Sequence, residues 1–96
     1  MTTLQLLKHK RSQILEIATK HCVTSIRVFG SAARQEDTPD SDVDFLVSVG
    51  PKTSSWFPSG LILDLESILG RRVEIITEAG LNPYIREQVL EEAMPI

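Results

Sequence analysis

Residues 42–49, Asp-Val-Asp-Phe-Leu-Val-Ser-Val, set the terms on which this chain folds. A strand with one wet face alternates polar and apolar residues. A run this apolar after its first positions predicts instead a strand covered on both faces, in the middle of a sheet. Side chains two apart on a strand share a face, so Asp42 and Asp44 project together at its start while Val43 and Phe45 point the other way.

The rest of the chain supplies the elements that would cover such a strand. Leu4, Leu7, Ile14, Leu15 and Ala18 form the stripe of one amphipathic helix over residues 4–19, opened by a capping box at Thr2-x-x-Gln5. Residues 23–29, Val-Thr-Ser-Ile-Arg-Val-Phe, are rich in β-branched types and predict a strand ending on Gly30, followed by a turn and a short helix to Arg34. Gln35 to Ser41 carries Pro39 and three acids with no apolar residue, the composition of a surface loop. Leu61, Ile62, Leu65, Ile68 and Leu69 mark a further helix, with Pro58 near its start and Gly70 just past its end. Arg71 to Ile76 reads as a third strand, and Asn82-Pro83 caps a last helix carrying Ile85, Val89 and Ala93. The expected order is α-β-α-β-α-β-α, an α/β (α+β) arrangement in which a small mixed sheet of about three strands is flanked by helices. All 96 residues are expected to form one domain.

Composition narrows the function classes. With 42% hydrophobic and 24% charged residues the chain is an ordinary globular domain rather than a disordered one. No apolar run approaches the roughly 18 residues needed to span a bilayer, and the N-terminus lacks a signal-peptide pattern, so a cytoplasmic protein without membrane contact is expected. Cys22, the single cysteine, excludes an intrachain disulfide and is expected to be a buried small hydrophobe beside Val23. The net charge of −3 hides an asymmetry: residues 1–34 hold six Lys/Arg against one acid, residues 35–96 four against twelve. A solvated helix face accounts for that asymmetry, although it also suits phosphate and metal binding. Direct nucleic-acid binding is not expected, because Lys8, Lys10 and Arg11 are few and have no interleaved aromatic residues. His9 and His21 have no acidic or cysteine partner at ligand spacing. Trp56, Phe57 and Tyr84 are expected to pack into the core, with base stacking or partner anchoring as the alternative for the loop pair.

Three groups of residues can carry chemistry together. Asp42 and Asp44 repel one another unless a cation sits between them, and hard oxygen ligands without His or Cys select Mg²⁺ or Mn²⁺. Separated from Asp42 by ten intervening residues, Gly30-Ser31 ends the preceding strand. Gly30 lacks a Cβ, so a phosphate can approach the backbone; Ser31 offers its hydroxyl, and Arg34 a fork of donors one turn on. Glu74 is an acid in an otherwise apolar strand, and three carboxylates from two strands suit a two-ion site. Taken singly, the acids also fit an exposed strand end, Gly-Ser an ordinary turn, and Glu74 a solvated strand position.

The run Phe29-Gly-Ser-Ala-Ala-Arg34 through Pro39-Asp-Ser-Asp-Val-Asp-Phe-Leu-Val47 resembles the Gly-Ser-x10-Asp-x-Asp signature of the polymerase-β-like nucleotidyltransferase superfamily. Within it the chain is similar to the minimal nucleotidyltransferases, the MNT family, and the tail from Asn82 to Ala93 also resembles that family's last helix. The resemblance implies a polymerase-β-like core in which Asp42, Asp44 and Glu74 bind Mg²⁺ and Gly30 and Ser31 form the phosphate turn. It also implies an antitoxin that forms a hetero-oligomer with a helical HEPN-domain ribonuclease toxin and transfers AMP from ATP onto a tyrosine hydroxyl of it. Two positions depart from the family pattern: Gln35 stands where Gly is common, and Glu74 where Asp is more usual, which would shift the third ligand. Two other functions fit the same residues: a catalytically silent antitoxin acting by binding alone, and an aminoglycoside-type enzyme acting on a small hydroxyl compound.

Overall fold

The structure is a computed structural model and describes residues 1–53 and 57–96. Its elements in chain order are α1 (Thr3–His9), α2 (Arg11–Lys20), β1 (Val23–Phe29), α3 (Gly30–Ala33), β2 (Val43–Val49), α4 (Ser59–Leu69), β3 (Val73–Thr77), α5 (Pro83–Glu92) and β4 (Met94–Pro95). The strands form one mixed sheet in the order β3-β2-β1-β4. β2 is a central strand, antiparallel to β1 and parallel to β3, and the crossover a parallel pair requires is made by α4.

Alternation along β2 divides the core into two layers. Val43, Phe45 and Val47 are buried on one face with Leu7 of α1, Ile14 and Ala18 of α2, and Leu61, Leu65 and Leu69 of α4. On the other face Leu46 is fully buried with Phe29, Leu81 and Val89, beneath α5. Each such side chain stabilises the fold by roughly 1.5–3 kcal/mol, so the apolar part of β2 holds the sheet while its polar start stays at the rim.

Local signals place the ends of the elements. Thr2 and Gln5 form the reciprocal capping box of α1, at 3.1 and 2.7 Å. Asn82 Oδ1 accepts from Tyr84 N at 2.9 Å at the start of α5, where Pro83 takes the first helical position. Gly70 ends α4 in the left-handed conformation, φ 66°.

Four expectations are corrected. The single helix over residues 4–19 is two helices that bend at Lys10, φ −97° and ψ 10°. Hydrogen bonds from Lys10 N to Leu6 O and from Ile14 N to Lys10 O straddle the bend at 2.9 Å, so the apolar stripe runs through it unbroken. The sheet has a fourth strand, β4, whose two residues pair with Val28 and Arg27 and are too few to show any periodicity. Cys22 is exposed rather than buried: it has φ 63° in the turn where α2 reverses into β1. Tyr84 is 96% exposed, because it lies five residues before the buried Val89 and hence about 140° around the helix from it.

His21 also gains a partner that spacing could not show, since its Nε2 lies 2.8 Å from Asp64 Oδ2 across 43 positions. Phe57 packs against the core as expected, and Trp56 lies outside the described residues. Among the described residues no helix is long and apolar enough to cross a membrane.

Candidate active site

The site lies where β1 ends and β2 and β3 begin. Asp44 is flanked by Phe29 of β1 on one side and by Glu74 of β3 on the other. Gly30 follows Phe29 with φ 74°, and a Cβ there would overlap Asp44 Oδ2 and lie 3.2 Å from its Cγ. The missing Cβ therefore makes room first for the Asp44 carboxylate. Ser31 sits beside it at the start of α3, whose Ala32 and Ala33 are buried and hold the turn against the sheet.

Asp44 is half-buried, and its carboxyl is pushed up to about 7. Burial is the largest cause, followed by the hydrogen bond and charge of Glu74 and the charge of Asp42, with Arg34 acting in the opposite sense. The protonated Asp44 carboxyl donates to Glu74. Two carboxyls brought this close need a proton or a cation between them.

Asp42 is engaged differently: Arg72 Nε lies 3.0 Å from its Oδ1, and Arg72 Nη2 donates to the Asp40 carbonyl at 2.6 Å. Arg34 reaches two carboxylates, with Nε 2.8 Å from Glu36 Oε1 and Nη1 2.6 Å from Glu92 Oε1 at the far end of α5. Asp44 and Glu74 thus meet, Gly30 touches Asp44, and Asp42 and Arg34 stand at the rim in ion pairs of their own. Among the described residues no group of three acidic, His or Cys side chains is arranged to hold a metal ion as it stands. The donor set is nevertheless all oxygen, and the neighbouring carboxylates that, after burial, raise Asp44 fit a hard divalent cation.

Sequence reasoning missed the pair of arginines that frames the site. Arg71 is only 15% exposed and donates to Thr3 Oγ1 at 3.0 Å, Asp37 Oδ2 at 3.2 Å, Thr38 O at 3.0 Å and Ser41 O at 2.8 Å. Thr3 Oγ1 in turn donates to Asp37 Oδ2, and these two donors hold the Asp37 carboxyl below the usual carboxylate range despite partial burial. The loop between the Gly-Ser turn and Asp42 is therefore tied to α1 and to the start of β3. The available signal was Arg71-Arg72 at the head of a strand, which becomes informative once β3 is known to run parallel to β2.

Comparison with known proteins gives a consistent picture. A family model described as a nucleotidyltransferase domain matches residues 10–95. A relative from Thermococcus cleftensis, named protein adenylyltransferase MntA, is 36% identical over 89 residues, which cover 93% of this chain and 86% of its own. Another, from Methanocaldococcus jannaschii and provisionally named a protein adenylyltransferase, is 34% identical over 86 residues, 90% of this chain and 92% of its own. A solved structure provisionally named a minimal nucleotidyltransferase has a TM-score of 0.86 at 43% identity, over 100% of this chain and 97% of that one. A chain of a toxin-antitoxin complex crystallised with AMP-PNP shares the fold, with a TM-score of 0.73 at 19% identity, over 88% of this chain and 69% of its own.

Proposed function

The chain belongs to the nucleotidyltransferase domain family, and from that membership we propose that it transfers AMP from ATP to a hydroxyl of a partner protein, with Mg²⁺ held by Asp42, Asp44 and Glu74. The observation that carries the reading is Asp44: a half-buried carboxyl paired with Glu74, beside a glycine that admits it, on the central strand of the sheet. The adenylyltransferase names of the relatives support ATP as the donor. The partner is a HEPN-type toxin and the acceptor a tyrosine of it, making this chain an antitoxin; the resemblance to the MNT family supports both.

In the proposed reaction the acceptor oxygen attacks the α-phosphorus, a new P–O bond forms, the bond to the α,β-bridging oxygen breaks, and pyrophosphate leaves. Ser31 and the first turn of α3 hold the triphosphate, and Arg34 exchanges an ion pair with Glu36 or Glu92 for a phosphate oxygen. A carboxylate of the Asp44–Glu74 pair, side by side on β2 and β3, accepts the proton of the attacking hydroxyl. Mg²⁺, when bound, supplies positive charge against the triphosphate and acidifies the attacking hydroxyl. The three carboxylates lie at the rim of a small fold rather than in an enclosed cavity, which suits an acceptor presented by another protein.

One observation favours a second reading, an antitoxin that silences its toxin by contact alone: Asp42 is already neutralised by Arg72. The two separate on incubating the chain with its toxin, Mg²⁺ and ATP labelled on the α-phosphate, beside an Asp42→Ala, Asp44→Ala variant. Label and the mass of one or more AMP groups on the toxin, absent with the variant, support transfer. An unlabelled toxin silenced equally by both proteins overturns it.

A further inference from the structure

β2 and β3 run parallel with Val43 opposite Val73, so the residues just before them, Asp42 and Arg72, stand side by side at the entrance of the site. Arg72 Nε lies 3.0 Å from Asp42 Oδ1, and the two side chains are 74% and 45% exposed. Arg71, one residue earlier, is of the opposite kind: it is largely buried and bound to four oxygens of α1 and the loop. One arginine is built into the frame. The other lies over a carboxylate that the frame presents, held besides by an exposed hydrogen bond to the Asp40 carbonyl at 2.6 Å.

We infer that Arg72 is a stand-in cation, which holds Asp42 in the metal-free protein and competes with a divalent ion for it. The inference rests on the reading of Asp42, Asp44 and Glu74 as ligands. Its physical basis is twofold. The guanidinium occupies Oδ1 of Asp42, and an ion arriving at that oxygen must displace it. The positive charge of Arg72 also repels a dication within a few ångströms, in a site exposed enough to soften that repulsion without removing it. Without Arg72, Asp42 would stand as an uncompensated acid beside the Asp44–Glu74 pair. Arg72 therefore steadies Asp42 and sets a threshold for metal binding at it.

The test is Mn²⁺ binding to the full chain, followed by electron paramagnetic resonance for wild type, Arg72→Gln and Arg72→Lys. Circular dichroism checks that each variant is folded. Arg72→Gln should bind Mn²⁺ about two- to fivefold more tightly, the range an exposed ion pair supports, with Arg72→Lys in between. In an Asp42→Asn background most of that gain should vanish. Equal or weaker binding by a folded Arg72→Gln overturns the inference and leaves Arg72 as a brace for the loop, since a merely structural residue lowers affinity when removed. Wild-type binding unaffected by Asp44→Asn would overturn both the inference and the assignment of the ligands. Tighter binding by Arg72→Gln, with no AMP transfer by wild type, would uphold the inference and reject the proposed reaction.

Discussion

Gly30 and Asp44 are fitted to each other: the left-handed backbone of the first, φ 74°, ends β1 where the carboxylate of the second fills the space a Cβ would take. Antiparallel pairing of Phe29 with Asp44 produces the contact, so it follows from the register of β1 on β2.

Gly30→Ala is therefore expected to fail twice over. A left-handed Ala costs roughly 1 kcal/mol, and the overlap with Asp44 must also be relieved by moving a carboxylate assigned to the metal. Gly70→Ala is the matched control, since Gly70 has φ 66° and nothing within 4 Å of a Cβ. Thermal unfolding should show a larger loss for Gly30→Ala, and AMP transfer should fall by about a hundredfold or more in that variant alone. Equal effects of the two substitutions would disprove the fit.

Asp44 predicts a pH dependence of stability. Its carboxyl is raised from 3.8 to about 7, so the folded chain binds that proton more tightly than the unfolded chain does. Stability from this group is then lost as pH rises between those values, and the penalty is complete above about 7. Asp44→Asn should melt above wild type at pH 8, and the two should converge toward pH 4. Added Mg²⁺ should narrow the gap at pH 8 by stabilising the wild type. A gap that does not change with pH contradicts the assignment.

Gln35 has φ 60°, a conformation that favours glycine, and it ends the turn after α3. Gln35→Gly should stabilise the fold by about 0.5–1 kcal/mol in chemical denaturation, because relief of left-handed strain outweighs the greater entropy of the unfolded glycine. The resemblance to the MNT family points the same way, since glycine is common at this position there. Destabilisation on substitution would mean that the Gln35 side chain makes a compensating contact.

Arg71 should be far less tolerant than Arg72. Arg71→Met leaves Asp37 without its guanidinium at only 11% exposure and frees the carbonyls of Thr38 and Ser41. A loss of about 3 kcal/mol is expected, against under about 1 kcal/mol for Arg72→Met. Urea titration of the two variants checks this, and similar midpoints would refute the division between a buried brace and an exposed ion pair.

Local order along the chain was legible in the sequence. The apolar run of β2, the opposite directions of Asp44 and Phe45, the Thr2 and Asn82 caps and the αL stop at Gly70 each depend on residues a few positions apart. Period and capping chemistry are therefore enough to find them. The bend at Lys10 escaped because hydrogen bonds bridge it, and β4 because two residues carry no period.

The sequence by itself determined which residues are candidates for the proposed site: Gly30, Ser31, Arg34, Asp42, Asp44 and Glu74 are marked by their types and spacing. Tertiary structure alone decided how they are engaged. Parallel register sets Glu74 against Asp44 and Arg72 beside Asp42, Arg71 crosses 34 positions to Asp37 and 68 to Thr3, and Arg34 crosses 58 to Glu92. The physical reason is range. Propensity, period and capping act within a turn or a pleat, whereas an ion pair depends on which strand edges meet, and that is settled only when the two layers of the core close on β2.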